Sequence, residues 1–339
     1  MTLAIQIVPT LPPPDEGVGS FATALAEALR SHSVESRFLV ADRSRTAEAL
    51  QAALEADGAA PVLLHYAGYG YHPRGCPAWL AEGLRLWKQG GPRRLVTVFH
   101  EVYATGRPWQ SSFWLSPAQR RIASRIARMS DGIVTSLDLY GRLLQPLAPG
   151  RRIEVLPVFS TVGELAEVPP LAGRERRIVL FGGPGARQRA LTRLAGSLAT
   201  ACRALGAEEV CDVGSGEASA VARPDRVGDV PVRRLGRLPA EEVSALLQRS
   251  LAGFVAYPPP LLAKSTIFAA YCAHGVLPVC DWDRPRRETG PPPPFWRPSP
   301  VAPSPDEIQG IAGRARAWYA GHTLERHAAL YHEILTCVS

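Results

Sequence analysis

The chain has 339 residues, 46% of them hydrophobic, which suffices for two domains of ordinary size with real cores. A net charge of +7 favours anionic partners, among them nucleotides, phosphorylated lipids, an anionic membrane surface and nucleic acid. No apolar run approaches the roughly 18 residues that span a bilayer, no signal peptide opens the chain, and the six cysteines form no C-x-x-C pair. These features argue against a zinc or redox site and for a reduced, cytoplasmic protein.

In chain order, Leu3–Val8 reads as a first parallel strand. The loop PTLPPPDEGVGS follows, with Gly17 and Gly19 just before a helix at Phe21–Arg30 that Ser20 caps. The two glycines permit a tight turn and close approach of a ligand. Ser36–Val40 is a second strand, Thr46–Ala56 a helix and Pro61–Tyr66 a third strand. The loop AGYGYHPRGCP then places Tyr69, Tyr71, His72 and Arg74 at the carboxyl end of that strand, where ligands bind in open parallel sheets. Ala78–Lys88 reads as a helix and Arg94–Phe99 as a strand that delivers His100 and Glu101 at its carboxyl end. An imidazole and a carboxylate there can act as a general base or as a polar clamp. Ser116-Pro117 reads as a helix start with proline at the first position. Ile122, Ile126 and Met129 line one face, and Arg120, Arg121, Arg125 and Arg128 the other, behind Trp109, Phe113 and Trp114. Residues 109–129 therefore suit a peripheral membrane contact, and equally a solvated arginine face on a core helix. Strands at Gly132–Ser136 and Ile153–Leu156 flank a helix at Leu137–Gln145. Residues 158–174, rich in proline, read as a linker.

The second half restarts the alternation. Arg177–Phe181 is a strand running into GGPGAR, a glycine turn with Arg187 and Arg189 that suits a phosphate before a helix at Leu191–Leu205. Strands at Glu209–Val213 and Val232–Leu235 and a helix at Pro239–Arg249 lead to the stretch Leu251–Cys280. There a strand at Ala252–Tyr257 ends at Pro258, and Lys264, Ser265 and Thr266 open a helix at Ile267–His274 that Gly275 closes. Lys264 is one of only two lysines, the other being Lys88, and it adds positive charge to a helix N-terminus that already favours anions. After a strand at Leu277–Cys280, residues 281–305 read as a proline-rich loop outside the core. Pro305–Tyr319 and Leu324–Thr336 read as terminal helices. His322, His327 and His332 step by five, so they scatter around a helix and form no metal set. The fold class expected from this alternation is α/β, with two tandem doubly wound, Rossmann-like parallel-sheet domains. Their bounds would be 1–157 and 175–305, with helices in 306–339 as candidates to pack back on the first domain.

With the Gly17/Gly19 loop, the His100 strand end, VLPVF, LFGGPGAR, RRLGRLPAEEVSALLQRSLAGFVAY and AAYCAHGVLPV in that order, the chain resembles a GT-B glycosyltransferase. The closer likeness is to the large retaining group that takes nucleotide-diphosphate sugars, and it covers nearly the whole chain. The resemblance implies that Gly17 and Gly19 line the cleft near the donor phosphates and that His100 touches the donor sugar. It places Gly183 and Arg187 near the diphosphate, and Lys264, Ser265 and Thr266 in the loop that grips phosphate and sugar. The family usually carries two glutamates eight residues apart around this loop. Leu262 and Ala270 stand there instead.

The function expected is metal-independent sugar transfer from a nucleotide-diphosphate donor to an acceptor in the interdomain cleft, with retention implied by the resemblance alone. His100 and Glu101 would serve catalysis. Lys264, Ser265, Thr266, Arg187 and the glycine turn would stabilise the departing diphosphate. Tyr69, Tyr71 and Arg74 would meet the acceptor, whether glycan, lipid-linked or small molecule. No cofactor is expected beyond the nucleotide sugar as co-substrate. Nucleic acid is disfavoured because the arginines are dispersed and no recognition motif occurs. The missing glutamates keep open a non-enzymatic reading, a GT-B-fold binding or scaffold subunit. A nucleotide-sugar epimerase is the weaker third, since it would need carboxylates that have no evident place.

Overall fold

The computed structural model describes residues 2–12, 17–41, 46–105, 111–216, 224–284 and 290–337, except the side chains of residues 111 and 112. The chain forms two compact units, Met1–Pro157 with Leu324–Ser339, and Val158–Thr323.

The first unit contains β1 (Thr2–Val8), α1 (Gly17–Ser31), β2 (Val34–Val40), α2 (Ala47–Glu55), β3 (Val62–Tyr66) and the single turn α3 (Gly68–Tyr71). It continues with α4 (Ala78–Gln89), β4 (Leu95–Phe99), α5 (Ser111–Met129), β5 (Gly132–Thr135), α6 (Asp138–Leu144) and β6 (Ile153–Val155). The strands form one parallel sheet in the order β2-β1-β3-β4-β5-β6. β3 and β4 are buried along their whole length, as parallel strands covered on both faces must be, which explains their near-continuous apolar runs. The chain leaves β1 towards β2 and returns on the other side of β1 to make β3. The topological switch point, where such sheets open a crevice for ligands, therefore lies between the carboxyl ends of β1 and β3.

The second unit contains β7 (Glu175–Phe181), α7 (Pro184–Leu191), α8 (Ala195–Leu205), β8 (Glu209–Val213), β9 (Arg226–Val227), β10 (Val230–Gly236), α9 (Ala240–Arg249) and β11 (Ser250–Ala256). A 3₁₀ turn at Pro259–Lys264, α10 (Thr266–Ala273), β12 (Leu277–Asp281) and α11 (Pro305–Tyr319) complete it. The last helix, α12 (Leu324–Thr336), belongs to the first unit. The second sheet runs β12-β11-β7-β8-β10-β9 and is parallel except for the β9–β10 pair. Its switch point lies between β7 and β11. Among the described residues no helix is long and apolar enough to cross a membrane.

Several boundaries differ from the sequence reading, each for a local reason. α1 begins at Gly17, so Gly17, Gly19 and Ser20 lie in its first turn rather than ahead of it. α5 begins at Ser111 and carries Pro117 inside it, where the missing N–H forfeits the bond to the Phe113 carbonyl. Trp109 lies outside the described residues. The glycine turn after β7 opens α7 at once, with Pro184 at its first position, and a break at residues 192–194 separates α7 from α8.

Residues 158–174 are part of the second unit rather than a free linker, because polar bonds stitch them to it. The Ser160 N–H donates to the Tyr319 hydroxyl at 2.8 Å, and the Leu171 N–H to Gln309 Oε1 at 2.8 Å. Arg174 donates to the Pro169 carbonyl at 2.6 Å and the His274 carbonyl at 3.2 Å. Residues 281–305 are likewise not all surface. Trp296 is 6% exposed in the core, where its N–H and carbonyl pair with Pro278 and Cys280 beside β12. Burying an indole of that size is strongly favourable.

Candidate active site

In the second unit, two helix N-termini meet at the switch point. Gly182, with φ +115°, lets the chain turn from β7 into α7, and a Cβ there would stand 2.3 Å from Ile267 Cδ1 of α10. The glycine turn and the first turn of α10 are thus in contact. Gly183 is the N-cap of α7, and a Cβ at Gly183 or Gly185 would meet nothing within 4 Å among the described residues. Ser265 caps α10, its Oγ accepting from the Phe268 N–H at 3.2 Å, and Gly275 at φ +58° follows the helix. Ser265 is itself buried, while Lys264 and Thr266 are half-buried on either side of it. The first N–H groups of each helix have no partner within the helix, so this edge combines backbone donors, two helix N-termini and Lys264 next to the second of them. That combination suits an oxyanion such as phosphate.

Arg187 sits beneath this edge and not on it. Its guanidinium, 3% exposed, donates from Nε to the Gly182 carbonyl at 2.8 Å, from Nη1 to Asp212 Oδ1 at 2.7 Å, and from Nη2 to the Ser215 carbonyl at 2.7 Å. The expectation that it lies at the diphosphate gives way to a different job, tying the glycine turn to the end of β8. Arg189 pairs with Asp283 Oδ1 at 2.8 Å and lies 4.5 Å from the Trp282 ring centre. A cavity of about 760 Å³ lies at the carboxyl ends of β11 and β12, lined in part by Pro259, Pro260, Trp282, Phe295 and Arg297. A larger one, about 1010 Å³, opens at the amino-terminal edge of the same sheet beside Arg176, Gly206 and Asp306. Ligands of parallel sheets meet the carboxyl edge, which is the edge of the smaller cavity, but Gly183, Lys264, Ser265 and Thr266 are not among the residues that line it.

In the first unit, Gly19 packs α1 against the loop after β1, since a Cβ there would stand 2.7 Å from the Thr10 carbonyl oxygen. Gly17 is exposed, and a Cβ there would meet nothing within 4 Å among the described residues. His100 and Glu101 follow β4, His100 half-buried and Glu101 exposed. Tyr69 and Arg74 are exposed at the end of β3. Tyr71 is not: it is fully buried, with its hydroxyl facing the carbonyls of Ile7 at 3.1 Å and His65 at 2.9 Å, and the same burial pushes its phenol well above the usual range. A side chain spent on joining β1 to β3 has no surface to offer an acceptor, so the expectation for Tyr71 is corrected.

Four residues near these sites escaped the sequence reading. Gln119, 2% exposed on α5, donates to the Tyr69 hydroxyl at 3.2 Å and the Arg74 carbonyl at 2.9 Å, which uses both its amide protons to hold that loop. Asp212 anchors Arg187. Gln6 and His65 are fully buried and lead to His100. The available signal was a polar residue inside an otherwise apolar strand, at Gln6, His65 and Asp212. Among the described residues no group of three or more His, Cys, Asp or Glu could hold a metal ion.

No protein-family model matches the sequence, and no curated protein matches it. Solved structures do. HepE of Anabaena in complex with UDP-glucose superposes with a TM-score of 0.63 at 11% identity, over 100% of both chains. WaaG, a glycosyltransferase involved in lipopolysaccharide biosynthesis, gives 0.57 at 12% identity over 99% of this chain and 100% of its own. AviGT4, a glycosyltransferase involved in avilamycin A biosynthesis, gives 0.55 at 14% identity over 99% and 97%. Likeness of this extent at so low an identity is a likeness of fold, and with two parallel six-stranded sheets flanked by helices, this chain has the GT-B glycosyltransferase fold.

Proposed function

We propose that the protein is a glycosyltransferase that moves a sugar, of hexose type, from a nucleotide-diphosphate donor to an acceptor without a metal. The observation that carries this reading is the meeting of the α7 and α10 N-termini beside Lys264 at the switch point of the second unit. Sugar transfer builds negative charge on the departing diphosphate, and fixed dipoles and a cation lower the barrier by meeting that charge as it develops. His100 and Glu101 are proposed to serve the sugar in the first unit, and Tyr69 and Arg74 the acceptor. Retention of configuration is the outcome that the sequence resemblance supports. HepE has been solved with UDP and with UDP-glucose, so these are the first donors to try.

The test is a thermal-shift series with UDP, GDP, ADP, CMP, dTDP and their sugars, followed by a transfer assay with whichever stabilises the fold. Lys264→Ala is expected to weaken donor binding by about 1–3 kcal/mol, the scale of a lost hydrogen bond to a charged group. Unchanged affinity with an intact fold would remove Lys264 from the site.

A second reading has its own observation. Leu262 and Ala270, 1% and 0% exposed, are apolar and face the core, so the loop supplies no carboxylate at either place. A GT-B-fold binding or scaffold subunit would need none. An absent shift with every nucleotide would favour it.

The acceptor is proposed to be a glycan, a lipid-linked molecule or a small molecule met at the cytoplasmic face of a membrane. On α5, Ile122, Ala123, Ile126 and Ala127 are buried, while Arg120, Arg121, Arg125 and Arg128 are exposed and Trp114 is 73% exposed. Such a helix offers cations and an interfacial aromatic to anionic lipid. Co-sedimentation with vesicles containing phosphatidylglycerol is expected, with loss in the quadruple arginine-to-glutamate variant. Equal sedimentation of both proteins would discard the membrane contact.

A further inference from the structure

A groove of about 680 Å³ lies along α5, against Pro146 and Leu147 of the connection from α6 to β6. Arg120, Arg121, Arg125 and Arg128 line it, and none of the described residues that line it is acidic. The four arginines share one face of the helix over about 12 Å of its length. Arg120 and Arg121 make no hydrogen bond or ion pair among the described residues. The charge of Arg125 reaches Glu82, but that carboxylate already pairs with Arg85 at 2.6 Å. Arg128 donates from Nε to the Leu147 carbonyl at 3.1 Å, and Ser124 Oγ donates to the same carbonyl at 3.1 Å, which fixes this wall of the groove to α5. Like charges at four-residue spacing on a helix repel, so Arg121 and Arg125 destabilise the bare helix, and an anion between them reverses that.

Exposed arginines alone describe a solvated face. The second observation is what α5 is fastened to. Gln119, one residue before Arg120, accepts the Ala104 N–H on Oε1 at 2.8 Å and donates from Nε2 to the Arg74 carbonyl at 2.9 Å. Both partners are backbone groups, one only a donor and the other only an acceptor, so the amide has a single orientation. It ties α5 to the loop after β3, which carries Tyr69 and Arg74, and to the segment after β4. That segment holds Glu101 and, two residues on, Tyr103, which lines the groove. The groove therefore begins beside the strand ends proposed to meet the acceptor. Each guanidinium fork matches two phosphate oxygens, and a space of this size holds a phosphate with the sugar-sized group that bears it.

We propose that this groove is a phosphate subsite for the acceptor: the acceptor is a phosphate ester whose phosphate lies among Arg120, Arg121, Arg125 and Arg128, with its reacting hydroxyl towards the ends of β3 and β4. This rests on the reading of the first unit as the acceptor side of a glycosyltransferase. It adds the chemical class of the acceptor and the residues that select it. The groove takes one phosphorylated molecule as a discrete ligand, which a general attraction to anionic surfaces does not require.

The first measurement is calorimetric titration of the full chain with glucose 1-phosphate and ribose 5-phosphate, at fixed ionic strength. Both should bind saturably at one equivalent, and glucose and ribose should not. The triple variant Arg120→Gln, Arg121→Gln, Arg125→Gln removes exposed side chains that hold no hydrogen bond among the described residues, so it should fold. It should weaken both esters by at least about tenfold, the scale of one charged hydrogen bond. A control, Arg30→Gln, Arg233→Gln, Arg314→Gln, loses the same charge from exposed positions elsewhere and should bind within about twofold. Lys264→Ala should do the same. Equal weakening in the two triple variants reduces the effect to general attraction, and weakening in Lys264→Ala alone moves the phosphate to the α7–α10 edge. Either result overturns the proposal, as does binding to phosphatidylglycerol vesicles with none to the soluble esters, which makes α5 a membrane contact alone. No nucleotide sugar enters this titration, so its failure is separate from that of the transferase reading, which fails if no nucleotide sugar binds or reacts. With a reacting donor in hand, transfer to the two esters should exceed transfer to the free sugars by at least about tenfold in kcat/KM. Equal rates overturn the acceptor assignment.

Discussion

Arg187→Ala should lower the unfolding free energy by about 3–5 kcal/mol, measured by urea denaturation, while leaving the affinity for a free nucleoside diphosphate unchanged. The size follows from burial. The side chains of Arg187 and Asp212 are 2% and 1% exposed and 2.7 Å apart, so removing one takes a buried ion-pair partner from the other. Arg187 also serves the carbonyls of Gly182, Ser215 and Gly216, which lose these bonds once the guanidinium is gone. Arg187→Lys should recover little, because a single ammonium cannot span acceptors arranged around a planar fork. Replacing both partners, as Arg187→Met with Asp212→Leu, should recover more than Arg187→Ala does, since no buried charge of the pair then remains. The contrary result is equally readable. A stable Arg187→Ala protein with weakened nucleotide affinity would return Arg187 to the diphosphate.

The second large effect is acid sensitivity. His322 is 2% exposed, against the Trp318 ring with centres 4.2 Å apart, and its Nδ1 bonds the Val158 carbonyl at 3.2 Å. Burial lowers its pKa from 6.5 to about 4. The folded state thus favours the neutral ring, and this stabilisation is complete above the unfolded pKa of about 6.5. It is lost as pH falls from there to about 4, where the folded ring also takes a proton. The loss across that window is about 3 kcal/mol. His65 and His274 are lowered by burial in the same direction and add to the slope. Urea titrations at pH 7, 6, 5 and 4.5 should show stability falling throughout, and more shallowly in His322→Phe. Parallel curves for the two proteins would show that His322 does not titrate as its burial demands.

How much could be read beforehand varied with the range of the interaction. The alternation of apolar strands with amphipathic helices announced two parallel sheets, because covered parallel strands must be apolar on both faces. The ends of α11 and α12 were legible to the residue, and the start of α10 was legible as Ser265 or Thr266 (Ser265 is the cap) and its stop as Gly275, since caps act within four residues of themselves. Lys264 at that helix start was visible for the same reason. Arg187 was visible as a residue and misread as a role, because Asp212 and the Ser215 carbonyl reach it from another strand, roughly 25 positions along the chain. Tyr71 was misread likewise, its two carbonyl neighbours lying on β1 and β3.

The sequence by itself determined the class of the fold, the order of its elements and the chemistry available at the strand ends, because these depend on periodicity, caps and turns that act locally. Only the tertiary structure decided that the α7 and α10 N-termini touch, that Arg187 points inward, that residues 158–174 are bound to the second unit, and that Gln6 and His65 stand behind His100. Each of those facts depends on which strands become neighbours in a sheet. That choice is made by the burial of whole faces and is written at no single position.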